Sequence, residues 1–515
     1  MSLETPETSQ TSQTSETSQT SETSQTSESP EAFVDAAVVT TTRGPVRGER
    51  RADGSRRFLG IPYAKPPVGP LRFAAPEPPE PWTEPLDATA YGPTAQRRPF
   101  ADVTTIPEPT IPGEGVLNLN VFTPDTAGAA GLPVLVWIHG GGYVAGSAAS
   151  PWYDGAAFNR DGVVLVSLGY RLGIEGFLHL DDAPDNRGVR DWIAALEWVR
   201  DNIARFGGDP AKVTIAGQSA GGGAVQTLLA VPTARGLFRG ALSVSGAVMR
   251  PDGPEVARAV SRLFTARTGR PATAAALQDL GDDELLDLQD RLAAPGPDRE
   301  GLPPMLSLVP FADGELIPEP VLDALTSGGA GDGVPLMLGF TAHEFNMIPS
   351  PGADGPPLPV LLGGLGLTGE RAAAFAETYA DTDPAGHFGQ ALTDVTFRAP
   401  ALEVADARAG REQPTWLYQF EWTSPVNGQA HHCLDLPFAF DLLDAEGVPA
   451  AAGPTPPRPL ADALHRAWVA FITDQHPGPD WPAYTPDTRT TKIWDTVPRT
   501  ERNPLAPVRE IWLGE

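Results

Sequence analysis

The segment VTIAGQSAGG, residues 213–222, constrains this chain more than any other. Residues 213–216 read as a short buried strand, and the apolar positions Val225, Leu228 and Leu229 beyond the segment read as a helix. Between them Gly217, Gln218, Ser219, Ala220 and Gly221 fit the pattern Gly-x-Ser-x-Gly, in which a serine sits on a strained strand-to-helix turn. The flanking positions are glycine because a side chain there would collide across the turn. Such a turn exposes the serine hydroxyl above the sheet edge and aims the amide of Ala220, at the helix N-terminus, toward any negative charge developing there. The pentapeptide by itself also fits a plain glycine-rich turn. Its place between a strand and a helix gives it chemical meaning.

The neighbouring sequence predicts the sheet that such a turn needs. The run VLVWIH from Val134 and the run VVLVSLGY after Gly162 are continuously apolar, as central strands of a parallel sheet are. Val189, Trp192, Ile193, Leu196, Val199, Ile203 and Phe206 recur at three or four residue steps and stop at Gly207, which predicts an amphipathic helix with a C-terminal glycine. A turn at Gly208-Asp209-Pro210 then leads to the strand at 213–216. Strand, helix, strand, sharp turn and helix form a right-handed crossover unit. Runs at 241–244, 335–339 and 416–420 extend the same sheet, with Ala-rich helical excursions between them. The predicted fold class is therefore α/β, a large mostly parallel central sheet flanked by helices.

His139-Gly140-Gly141-Gly142 ends the strand that starts near Val134. Successive glycines let backbone amides approach a tetrahedral intermediate closely, so the amides of Gly141 and Gly142, with that of Ala220, are the expected oxyanion-hole donors. His139 is then a structural residue whose ring supports the loop.

With these motifs in place the chain resembles the type-B carboxylesterase family, which includes cholinesterases and bacterial p-nitrobenzyl esterases, within the α/β-hydrolase fold. The resemblance runs from about Thr42 onward. It rests on FLGIPYAKPPVGPLRF (58–73), LNLNVFTP (117–124), VWIHGGGY (136–143), YRLGIEGFL (170–178), NIARFGGDPAKVTIAGQSAGG (202–222) and HCLDLPFAF (432–440). It implies a catalytic domain over residues 31–515. The family's acid, a glutamate in a Gly-Thr-x-x-Asp-Glu-Gly type segment, falls on Glu344 of GFTAHEF, with His343 in place of the usual aspartate. The family's histidine precedes an acidic residue and a Leu-Pro-Phe run. In HHCLDLPF that spacing selects His432, and His431 is the base if the register is one residue off. The order Ser219, Glu344, His432 suits an α/β hydrolase. The resemblance implies that Ser219 attacks an ester carbonyl, His432 moves the proton, Glu344 holds the imidazole, and water releases the acid from an acyl-enzyme.

Three departures bear on substrate. Gln218 stands where most members have glutamate, a replacement shared with juvenile hormone esterases, so the substrate site loses a negative charge beside the nucleophile. The usual early cysteine pair is replaced by Ala95 and Val116, leaving the intervening loop without its staple, and Phe100 is the loop's sole aromatic residue. The tryptophan on which choline esters stack is absent there. The expected activity is hydrolysis of neutral esters of modest size. An amidase or carbamate hydrolase would use the same triad. A non-catalytic binding protein of the neuroligin kind shares the fold but lacks an intact triad and carries a membrane span.

Composition narrows the partners. With 37 basic and 65 acidic residues, a formal charge of −28, the field repels nucleic acid and anionic lipid and leaves small-molecule esters. Residues 1–30, a Thr-Ser-Gln/Glu tract, hold five of those acidic groups and Leu3 as their one large apolar side chain, and are expected to form a solvated tail. The single cysteine, Cys433, permits no internal disulfide and is expected to be a buried or pocket-lining thiol. No apolar run approaches the roughly 18 residues of a membrane span, and the expected location is cytoplasmic. The eight histidines contain no HExxH pattern, so neither a metal nor an organic cofactor is expected. Oligomeric state is not encoded in any of these patterns.

Overall fold

The apolar runs pair with one another in a single sheet. The computed structural model describes residues 37–99, 105–124, 131–250, 252–299, 302, 306–351 and 355–514. The tract 1–30 and Phe100 lie outside the described residues. The strands are β1 (Ala37–Thr40), β2 (Pro45–Arg50), β3 (Arg56–Pro62), β4 (Leu86–Asp87), β5 (Asn118–Thr123), β6 (Leu132–Ile138), β7 (Val164–Leu168), β8 (Gly208–Gln218), β9 (Gly240–Val244), β10 (Leu336–Thr341), β11 (Thr415–Phe420), β12 (Thr490–Trp494) and β13 (Arg499–Arg502). Their spatial order is β1-β2-β3-β5-β7-β6-β8-β9-β10-β11-β12-β13, with β4 beside β2. Every neighbouring pair from β7 to β12 is parallel, and antiparallel pairs close both edges.

Side chains alternate across the central strands, and each face has its own core. In β6, Val134, Val136 and Ile138 join Val189, Trp192, Leu196 and Val199 of the helix Arg187–Asn202. Leu135 and Trp137, on the opposite face, join Leu464, Trp468 and Phe471 of the helix Arg458–Asp474. A parallel sheet buried on both faces explains why these strands read as unbroken apolar runs. The predicted helix ends as expected, its last turn tightening to a 3₁₀ turn at Ile203–Phe206 before Gly207 in the left-handed region. The turn expected at Gly208-Asp209-Pro210 is instead an irregularity within β8. The register with β6 shifts between Leu132 and Val134, and Asp209 Oδ1 accepts the Ala211 amide at 2.9 Å, a side-chain turn that lets the strand resume without leaving the sheet. Among the described residues no helix is long and apolar enough to cross a membrane.

Candidate active site

β8 ends at Gln218, and the helix Ala220–Ala230 begins two residues later, so Ser219 must reverse the chain alone. Its φ of 59° and ψ of −122° lie far from ordinary L-residue conformations. The turn is held on both sides: the Ser219 amide donates to Val244 O at 2.9 Å, and its carbonyl accepts from Gly223 and Ala247. A Cβ on Gly221 would lie 2.0 Å from Ile138 O, and one on Gly217 would lie 2.4 Å from the Gly221 backbone. Both glycines are thus fixed by close approach.

β6 delivers the second backbone element to the same edge. After His139 the chain coils through Gly141 (φ 109°), Gly142 (φ 59°) and Tyr143 (φ 62°). The Gly141 carbonyl accepts the amides of Val144 and Ala145, while the amides of Gly141, Gly142 and Ala220 have no backbone acceptor among the described residues. His139 supports this coil. Burial pushes its imidazole down to about 4, its neutral ring stacks on Tyr170 at 4.5 Å, and Nδ1 donates to Gly140 O at 2.8 Å. Tyr143 tolerates its conformation because its ring is packed between Phe177 and Trp192.

The acid and base come from the loops after β10 and β11. His432 Nδ1 donates to Glu344 Oε2, and the His432 amide donates to Glu344 O at 3.1 Å. Glu344 is fully buried, and its second oxygen accepts from Ser245 Oγ and from the Thr341 amide, each at 2.7 Å. His343, where the family has aspartate, ties the same two loops together: its amide donates to Ala430 O and its Nδ1 accepts the Ala430 amide, both at 3.0 Å. Burial lowers the His343 pKa, and Arg398 lowers it further, which keeps Nδ1 free to accept. Burial disfavours the His432 imidazolium, but Cys433 and Glu344 outweigh it and hold His432 well above the ordinary histidine range. The Cys433 thiol is itself pushed up by burial, and Glu344 is the carboxylate bonded to the His432 ring. His431, the register alternative, lines the same cavity but meets Asn427 at 3.1 Å rather than a carboxylate.

A cavity of about 240 Å³ lies over these groups, lined by Gly141, Gly142, Gln218, Ser219 and His432, with apolar walls that include Ile106, Met249, Phe345 and Phe397. Phe345 and Phe397 both pack against the His432 ring, at 5.0 and 5.1 Å. Cys433 lines the cavity as expected of a pocket thiol. Asp435, three residues beyond the base, is buried against the Tyr418 hydroxyl at 2.9 Å, and burial with the nearby Glu344 charge raises it to about 7.

The loop between Ala95 and Val116, expected to be unstapled, is clasped by other means. Arg97, with its side chain 2% exposed, donates to Glu108 O, to Thr110 Oγ1 at 2.7 Å and to the Glu108 carboxylate at 3.4 Å. Thr94 pairs with Ile111 through both its amide and its hydroxyl, and Asn118 Nδ2 holds Pro93 O and Gly115 O together at 2.7 and 2.8 Å. Burial lowers the Arg97 pKa against the pull of Glu108, and the guanidinium is fixed by directed hydrogen bonds to Glu108 and Thr110. Thr105, Ile106 and Glu108, on the clasped segment, form one side of the cavity.

Of the residues singled out from sequence, Ser219, Glu344, His432, Gly141, Gly142 and Gln218 all line this one cavity, and Ala220 opens the helix beneath it. Ser245, the Thr341 amide, Arg97 and Phe397 were not anticipated. None of them stands in a local pattern that marks it, since the loop holding Arg97 also carries Arg98, Asp102, Glu108 and Glu114. Among the described residues no three His, Cys, Asp or Glu side chains converge as a metal site would require.

Comparison with known proteins places these features in context. The model of the carboxylesterase family matches residues 35–356 and 375–510. The para-nitrobenzyl esterase of Bacillus subtilis (strain 168) is 38% identical over 92% of this chain and 98% of its own. Carboxylesterase 1D of Rattus norvegicus is 33% identical over 90% of this chain and 91% of its own. A solved PNB esterase superposes with a TM-score of 0.82 at 36% identity, covering 92% of this chain and 99% of that one.

Proposed function

The chain belongs to the carboxylesterase family and is a carboxylic-ester hydrolase with the α/β-hydrolase fold; from that premise we propose that it cleaves neutral small-molecule esters with Ser219, His432 and Glu344 as its triad. Ser219 Oγ attacks the ester carbonyl as His432 Nε2 takes its proton. The amides of Gly141, Gly142 and Ala220 receive the negative charge on the carbonyl oxygen. His432 then gives the proton to the departing alcohol, and Glu344 steadies the imidazolium. Water, deprotonated by the same nitrogen, attacks the acyl-enzyme and releases the acid. No step calls for a metal or an organic cofactor.

The observation that best supports this reading is the bond from His432 Nδ1 to Glu344 in the cavity that Ser219 enters. It leaves Nε2 as the lone pair available for catalysis. Gln218 borders the site as a neutral side chain, and the apolar walls favour uncharged acyl and alcohol groups. The test is labelling by a fluorophosphonate with peptide mapping, together with kcat/KM for a matched ester, carbamate and anilide. Adduct on Ser219, its loss in Ser219→Ala and preference for the ester are expected. Labelling that persists in Ser219→Ala overturns the nucleophile, and faster cleavage of the carbamate or anilide overturns the substrate class.

A further inference from the structure

The atom through which His432 must act is already occupied by a side chain. Gln218 Nε2 lies 3.0 Å from His432 Nε2, while Ser219 Oγ makes no hydrogen bond among the described residues. With the Nδ1 proton committed to Glu344, a neutral imidazole has one lone pair, at Nε2, and an amide N–H is the group that satisfies it. The Gln218 side chain has little freedom to be elsewhere. The residue is 1% exposed at the end of β8, and Gly140 packs so close that an added Cβ there would lie 3.0 Å from Gln218 Oε1 and 2.6 Å from its backbone oxygen.

We propose that Gln218 is a positioning residue that holds the resting base, engaging the His432 lone pair until substrate arrives and Ser219 replaces it. This rests on the assignment of Ser219 and His432 as nucleophile and base. A glutamine can play this part because it presents an N–H to the neutral ring. A glutamate, which most relatives carry by resemblance, can only accept, and so pairs with the protonated ring instead. Displacing Gln218 from this nitrogen costs the enzyme one neutral hydrogen bond each time His432 serves as base, once when Ser219 attacks and again when water attacks the acyl-enzyme, and so slows both steps.

The consequence is measurable without reference to ester preference. In Gln218→Met, which keeps length and volume but has no donor, the second-order rate constant for fluorophosphonate labelling on the high-pH plateau should rise about five-fold, the size of one neutral hydrogen bond. Deacylation, followed by single-turnover release from a slow acyl group, should rise by a similar factor, because water must displace the same amide from His432. In Gln218→Glu the acidic limb of the labelling profile should move to higher pH, because a carboxylate favours the imidazolium. A plateau rate that is unchanged or lower in a folded Gln218→Met, or an unmoved limb in Gln218→Glu, overturns the proposal. If Gln218→Met does not fold, the limb of Gln218→Glu decides alone. Should Ser219→Ala still be labelled at the wild-type rate, the triad assignment fails, a result distinct from either Gln218 outcome.

Discussion

Ser245 Oγ donates to Glu344 Oε1 at 2.7 Å across 99 residues of chain. The serine stands just past β9 with a φ of 46°, its amide bound to Gly339 O of β10. One side chain therefore couples the end of the adjacent strand to the carboxylate that orients the base. Its loss would leave a buried carboxylate with one donor fewer.

Ser245→Ala is expected to lower kcat about ten-fold with KM unchanged, and to cost about 1–2 kcal/mol of stability, as loss of a hydrogen bond to a charged group does. Steady-state kinetics and denaturant unfolding check both. A kcat within two-fold of the parent would mean that Thr341 alone fixes Glu344.

The pH profile follows from the charge at Glu344. The working form of His432 is neutral, and its pKa is raised, so kcat/KM should be lost as pH falls through a value above the ordinary histidine figure of about 6.5. Glu344→Gln removes the charge that favours the imidazolium. The acidic limb should then move down while kcat drops by about 10³. A limb that stays in place would show that Glu344 does not set the His432 equilibrium.

Arg97→Met keeps much of the buried stem but deletes the guanidinium donors to Glu108 and Thr110. The expected result is a KM raised about five-fold for esters large enough to touch Ile106, with kcat and the pH profile unmoved. Adding Ala95→Cys and Val116→Cys, whose positions flank the stems joined by Asn118, should restore KM under oxidising conditions only. Equal KM changes for acetate and for bulky esters would count against a role in shaping the cavity wall.

Gln218→Glu also tests how charge selects substrate. The ratio of kcat/KM for butyrylcholine to that for 3,3-dimethylbutyl butyrate should rise about five-fold, the equivalent of about 1 kcal/mol of attraction in a partly solvated site. The two substrates differ by one charge at nearly constant shape, so an unchanged ratio would place the Gln218 side chain out of reach of the alcohol group.

What the sequence revealed and what it hid divide along a physical line. Ser219 and the 139–142 coil were legible because their backbones demand glycine at fixed neighbouring positions, and a run of strands and helices around them leaves few topologies. Glu344 and His432 were legible through resemblance, with His431 set aside once its ring was found on Asn427. Ser245 and Arg97 were hidden because their roles depend on partners brought close by the sheet or by a loop's own curvature. Phe397 was hidden for another reason. It lies on the π-helical turn Asp394–Arg398, whose five-residue hydrogen bonds leave no periodic trace. The irregular stretch of β8 after Gly208 reads as a turn because its local residues are those of a turn, and pairing with β6 overrides them.

Four non-glycine residues at the site, Tyr143, Ser219, Ser245 and Cys433, hold positive φ angles, each a conformation that costs an L-residue on the order of 1–3 kcal/mol. Their strain makes the site a place where heat resistance can be gained and the worst place to look for it. A library screened for survival at high temperature, without an activity filter, should enrich glycine or asparagine at Ser219, whose small side chain makes no hydrogen bond among the described residues, and return hardy proteins that no longer turn over. Thermostabilisation of this enzyme therefore belongs at strained positions outside the site, such as the exposed Glu412 with its φ of 56° before β11, where glycine or asparagine relieves the backbone without touching the geometry that the chemistry requires.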